Sequence, residues 1–130
     1  MSSTKKLWIS NTFTLSMIIG NFSDDELRRG VDVKLKMKKL NIDEARNIVR
    51  EHEIISCVGH ESTARFLSEI LGINIPVNRV FITLKHDEEM LLTVLKERLP
   101  EGKVLSKEEI EKMFNEGKIE LYLISIEISK

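Results

Sequence analysis

Ile54-Ile55-Ser56-Cys57-Val58-Gly59-His60-Glu61-Ser62-Thr63 is the stretch whose reading decides the fold class. Ile54 to Val58 is a short apolar run with β character, and residues 63–71 continue with apolar positions at helical spacing. A strand therefore hands over to a helix around Gly59-His60. A handover of this kind implies strands interleaved with helices rather than an all-β or all-α chain. Free N–H groups and the positive end of the helix dipole meet at such a junction, so it favours an anion, above all a phosphate. Gly59 permits close backbone approach to a ligand, and the hydroxyls of Ser62 and Thr63 can donate to phosphate oxygens. Helix capping would also account for both hydroxyls. His60 beside a bound phosphate can act as a general acid or base near neutral pH.

Working outward, residues 6–10 read as a first strand, and 11–19 as a loop entering a short helix that ends near Gly20-Asn21. Residues 24–29 read as a charged connection. Val31 to Met37 alternates apolar and polar, the pattern of a half-buried strand. Residues 41–53 form a helix with Asn41 or Asp43 as cap and Ile42, Ala45, Ile48 and Val49 as its apolar stripe. The helix over 63–71 closes at Gly72, and Pro76 marks a turn. Residues 79–85 alternate as a strand and pair as a hairpin with a strand over 90–96. Ser106 with Glu109 is a capping-box signature that opens a helix over 107–115, and 119–128 is a final strand rich in β-branched residues. The expected architecture is α/β (α+β): a single domain over residues 1–130 with a mixed, roughly five-stranded sheet and flanking helices.

Composition narrows the function. The chain has 130 residues, 42% hydrophobic and 32% charged, with a net charge of −1, which argues against a non-specific nucleic-acid binder. No apolar run approaches a membrane span, and Ser10, Asn11 and Thr12 interrupt any signal-peptide core. The single cysteine, Cys57, forms no internal disulfide, which points to a reducing cytoplasm. The absence of glutamine and the wealth of Lys, Glu and Ile lean toward a thermophilic source.

Metal and hydrolase motifs fail. His52-Glu53 and His60-Glu61 each begin a His-Glu-x-x-His pattern, but Ser56 and Ala64 stand where the second histidine belongs. No nucleophile-elbow serine and no Walker-type phosphate loop occur. No cofactor is expected. Arg98-Leu99-Pro100-Glu101-Gly102-Lys103 is a loop candidate between a strand and a helix. Arg98 could clamp a phosphate bidentately. Glu101 could hold Arg98 or His60, or accept a hydrogen bond from a ribose or base; a solvated turn is the plainer alternative. Asn11, with Thr12 and Thr14 beside it, follows the first strand, where loops build sites. On pattern alone Arg65, Arg79 and the run Lys34, Lys36, Lys38, Lys39 are solvated faces.

Taken in order, Ser10-Asn11-Thr12-Phe13-Thr14, Gly59-His60-Glu61-Ser62-Thr63, Asn78-Arg79-Val80, the segment Arg98 to Ser106, and Phe114-Asn115-Glu116-Gly117-Lys118-Ile119 span nearly the whole chain. In this the sequence resembles the small viral anti-CRISPR ring nucleases that act on type III systems, with their cellular and plasmid-borne relatives. The resemblance implies a homodimer that binds cyclic tetra-adenylate and cuts it to linear di-adenylate without metal, in a host cytoplasm if a virus encodes it. It implies that His60, Arg98 and Glu101 are catalytic and that Asn11, Thr14 and Ser62 line the ligand pocket; Gly59, Thr63 and Arg79 stand beside them as further ligand-binding candidates. DNA and membranes are not expected partners. Glu61 replaces a more usual Asp, Pro100 interrupts an acidic pair, and Ser16 stands where relatives carry Asn. A non-catalytic cyclic oligoadenylate binder shares the same pocket, and a protein-interaction module needs no nucleotide at all.

Overall fold

In the computed structural model, residues 5–97 and 105–128 are described. Five strands form one sheet: β1 (Lys6–Ser10), β2 (Val33–Leu40), β3 (Glu53–Ser56), β4 (Glu89–Leu95) and β5 (Ile119–Ile128), in the order β2-β5-β4-β1-β3. β1 pairs in parallel with both β3 and β4, while β5 runs antiparallel to β4 and β2. The sheet is therefore mixed, as the alternation of elements implies. The helices are α1 (Ser16–Ile19), α2 (Asp24–Arg29), α3 (Ile42–Glu51), α4 (Glu61–Leu71) and α5 (Lys107–Asn115).

Alternation along the strands splits the core in two. Leu7, Ile9, Leu91 and Leu121 point to one face and pack under α3, α4 and α5, with Ala45, Val49, Phe66, Leu67, Ile70 and Ile110. Trp8, Met90, Leu92, Tyr122, Ile124 and Ile126 point to the other face, where Met17 and Ile18 of α1 cover part of them. Leu35 and Met37 of β2 lie on that second face, opposite Ile126 and Ile124, and stay exposed.

Three helices begin with complete capping boxes: Ser23 with Glu26, Asn41 with Glu44, and Ser106 with Glu109. The third was expected. The first shows that residues 24–29, expected as a connection, form a helix. Three acidic residues in its first turn and Arg28 and Arg29 in its last suit the helix dipole. α3 is shorter than the expected 41–53, because Glu53 already pairs with Lys6 in the sheet. β2 runs later than expected, from Val33 to Leu40.

Residues 79–85 are not a strand, and the expected hairpin with β4 does not form. Both edges of β4 are taken, by β1 on one side and β5 on the other. The segment instead crosses the second face. The Leu84 N–H donates to the Met17 carbonyl at 2.7 Å, and Asn21 Nδ2 donates to the Leu84 carbonyl at 2.8 Å. Its alternation has a packing cause all the same: Ile82 and Leu84 join the core beside α1.

Candidate functional site

β1 and β3 lie side by side and parallel, with Ile9 opposite Ser56, so their carboxyl ends meet. The chain leaves β1 toward α1 on one face and leaves β3 toward α4 on the other. Where successive connections part to opposite faces, a crevice opens beyond the carboxyl ends of the strands, and ligands of α/β sheets bind in such crevices. A pocket of about 430 Å³ lies here, lined by Thr12, Thr14 and Ser16 after β1, Cys57 after β3, and the 80–83 segment.

The loop after β3 is held from several directions. The Cys57 N–H continues the ladder to the Ile9 carbonyl at 2.9 Å. Ser56 Oγ donates to the Pro76 carbonyl at 2.6 Å and accepts from the Val58 N–H at 3.2 Å. Asn78 closes the clasp: its N–H donates to the Val58 carbonyl at 2.8 Å and its Nδ2 to the Ser56 carbonyl at 2.7 Å. Arg79 Nε donates to the Gly59 carbonyl at 2.7 Å. A Cβ on Gly59 would lie 3.2 Å from Arg79 Cγ, so the absence of a side chain lets the arginine lie along this loop.

α4 starts at Glu61, two residues earlier than the expected 63, and His60 is its N-cap. It is exposed, and its side chain makes no capping bond, unlike the N-caps of α2, α3 and α5. Ser62 and Thr63 fall inside the first turn rather than at the cap, so capping does not explain them. Ser62 is exposed; Thr63 is 8% exposed, its side chain turned into the fold, which leaves its backbone N–H as what it can offer. Glu61 pairs with Arg65 one turn on, at 3.3 Å. Opposite, Ser10 Oγ both donates to the Thr12 carbonyl, at 2.8 Å, and accepts from the Thr12 N–H, at 3.0 Å, fixing the turn that carries Asn11. Thr14 Oγ1 and Ser16 Oγ are 2.6 Å apart and share one hydrogen bond. Burial pushes the Cys57 thiol up, and the Ser10 hydroxyl only partly offsets it, so this sulfur stays protonated and is a wall rather than a nucleophile.

The fold thus places Asn11 and Thr14 after β1, and Gly59, His60 and Ser62 after β3 with Arg79 bonded to Gly59, at the ends of two paired strands. Arg98 and Glu101 lie outside the described residues. Ser56 and Asn78, which shape the histidine loop, were not candidates; a serine inside a strand and an asparagine two residues after a proline are weak signals on their own. A larger hollow of about 730 Å³ lies among α3, α4 and α5. Among its described lining residues are none of the candidates, and Lys39, Arg46 and Lys107 line it together with Asp43, Glu69, Glu111 and Glu120, so it favours no anion.

Among the described residues no helix is long and apolar enough to cross a membrane. The fold is similar to that of B116 of Sulfolobus turreted icosahedral virus, with a TM-score of 0.75 and 26% identity, over 92% of this chain and 98% of that one. In sequence the chain is 40% identical to protein 26 of Sulfolobus islandicus filamentous virus over 67% of its own length and 75% of the relative's. It is 44% identical to ORF116 of Acidianus filamentous virus 1, a match that spans 54% of this chain and 60% of that protein. YddF of Bacillus subtilis is 32% identical over 69% of this chain and 82% of that protein, so the likeness reaches beyond viruses. Residues 7–123 match the family described as STIV B116-like, and the chain belongs to that family.

Proposed function

We propose that this protein is a metal-independent ring nuclease that binds cyclic tetra-adenylate as a homodimer and cleaves it to linear di-adenylate, switching off type III CRISPR signalling. The observation that carries the reading is His60: an exposed imidazole at the uncapped N-terminus of α4, where the connections after β1 and β3 part. Three other helices satisfy their first N–H groups with a capping box; the start of α4 leaves its own to a ligand. The motif resemblance supports the same reading, and relatives in archaeal viruses fit a viral setting for it.

In the proposed reaction the ribose 2′-hydroxyl loses its proton to solvent as its oxygen attacks the adjacent phosphorus. The P–O5′ bond breaks, a 2′,3′-cyclic phosphate forms, and the 5′-oxygen leaves as a hydroxyl. The nucleophile belongs to the substrate, so the protein must chiefly hold it in line with the leaving oxygen. His60 as imidazolium protonates that oxygen. N–H groups of the first α4 turn and the Ser62 hydroxyl receive the phosphoryl oxygens, with Arg98 and Glu101 completing the set by resemblance. A four-nucleotide ring has two-fold symmetry, so two copies of one small chain offer it equivalent sites. Leu35 and Met37, exposed on the second face of the sheet, are apolar surface that a second copy could cover.

The test is incubation of labelled cyclic tetra-adenylate with the protein in excess chelator, with products resolved over time. Wild-type protein is expected to yield linear di-adenylate. His60→Ala is expected to keep ring binding and fold while losing the chemical step. Full turnover by His60→Ala removes the histidine from the mechanism. A ring bound but intact after long incubation with wild type makes the protein a binder without catalysis.

A further inference from the structure

Phe81 is the anomaly of the surface. Every other aromatic side chain (Trp8, Phe13, Phe22, Phe66, Phe114, Tyr122) is at least partly covered, whereas Phe81 is fully exposed. It stands on a backbone fixed on both sides. Two residues before it, Arg79 is bonded to Gly59; three residues after it, Leu84 is bonded to Met17 and Asn21. The next residue, Ile82, turns into the core. Phe81 therefore lines the 430 Å³ pocket from a segment that crosses from the histidine loop to α1.

We infer that Phe81 and the pocket beside it form a nucleobase seat: the ring stacks on a purine face while the hydroxyls of Thr12, Thr14 and Ser16 meet the edge of the base. The inference rests on the cyclic-oligonucleotide reading and adds to it a residue and a role. Its chemistry is that of single-stranded nucleic-acid recognition, in which bases stack on aromatic side chains and short polar groups read their edges. The volume falls within the usual range for small-molecule sites, roughly 300–1,000 Å³. The polar wall consists of neutral hydroxyls, which can donate or accept and suit a base edge better than a phosphate. The geometry also connects base to chemistry. Cys57 lines the pocket only three residues before His60, which puts their Cα atoms at most about 11 Å apart. A base seated in this pocket thus lies against a strand end from which the chain reaches the α4 N-terminus within three residues.

The experiment compares wild type, Phe81→Ala, Phe81→Leu and Phe81→Tyr for cyclic tetra-adenylate affinity and for oligomeric state by sedimentation. Because Phe81 is exposed, all four are expected to melt alike. Stacking predicts that Phe81→Ala binds about tenfold to a hundredfold more weakly, with Phe81→Leu close to it and Phe81→Tyr within about threefold of wild type. Phe81→Leu binding like wild type, or Phe81→Ala binding undiminished, overturns the stacking role while leaving the ring-nuclease reading in place. An affinity loss that merely follows a shift from dimer to monomer reassigns Phe81 to a protein contact and overturns it equally. Wild type that neither binds nor cleaves the ring fells both readings together.

Discussion

Ser56→Ala is the most demanding test of how the histidine loop is held. Ser56 is 4% exposed, and its one hydroxyl does two things: it donates to the Pro76 carbonyl at 2.6 Å and accepts from the Val58 N–H at 3.2 Å. Alanine removes a single oxygen, so no cavity of consequence follows. The cost lies in the partners left behind. Val58 is fully buried, and stranding its N–H costs about 1–3 kcal/mol. Pro76 is exposed, so its carbonyl can turn to water, and that loss is nearer the net worth of one hydrogen bond, about 1 kcal/mol. The sum is about 2–4 kcal/mol, and at roughly 3–5 °C per kcal/mol for a domain of this size it lowers Tm by about 10 °C. Urea unfolding gives the free energy and thermal unfolding the Tm. Asn78 still holds the Ser56 and Val58 carbonyls, but the loop loses its tie to Pro76; on the proposed ring-nuclease reading, single-turnover ring cleavage then falls by more than the unfolded fraction explains. A Tm within about 2 °C of wild type, a shift worth well under 1 kcal/mol, refutes the reasoning. It would mean that the β3–α4 loop is held elsewhere.

Gly20 has a helical backbone that alanine can adopt, but a Cβ there runs into Thr83 Oγ1. Gly20→Ala is expected to cost about 1–3 kcal/mol by overpacking. Adding Thr83→Ala should recover more than half of it in a double-mutant cycle, and strictly additive losses would show that the two residues do not meet. Glu120 bridges Lys39 at 2.8 Å and Lys96 at 3.2 Å, and these hydrogen bonds hold its carboxyl down to about 2, from an ordinary 4.5. A depressed carboxylate stabilises the fold above its unfolded pKa, and that stability is lost as pH falls through the folded value. The urea midpoint should therefore decline between about pH 4.5 and 2, and Glu120→Gln should flatten this decline. An unchanged slope in the variant would show that other groups carry the acid response.

Local chemistry made much of this protein legible. Asn41 and Ser106 announce their helices because a short polar side chain followed by Glu at the fourth position satisfies the first N–H groups wherever it occurs. The same signature at Ser23 and Glu26 was hidden in a run of charge that reads equally well as a loop. Gly72, at φ 71°, ends α4 where a left-handed residue is needed. His60 stood out from sequence because a histidine between a β run and a helical run falls at a helix start in almost any packing.

What the sequence by itself determined is therefore periodic and local: most of the elements, the caps of α3 and α5, and the His60 junction. The tertiary structure decided the rest. Residues 79–85 carry a strand's alternation, yet β4 has no free edge for them, and edge occupancy is a property of the whole sheet. The order β2-β5-β4-β1-β3 sets β1 beside β3 across 42 intervening residues of chain, 11–52. Only that pairing sets the turn after β1, which carries Asn11 and Thr14, beside the loop after β3 that leads to His60, and opens a crevice between their diverging connections. Such long-range pairing is settled by which apolar faces bury together, a competition among all the elements at once that no short stretch of residues records.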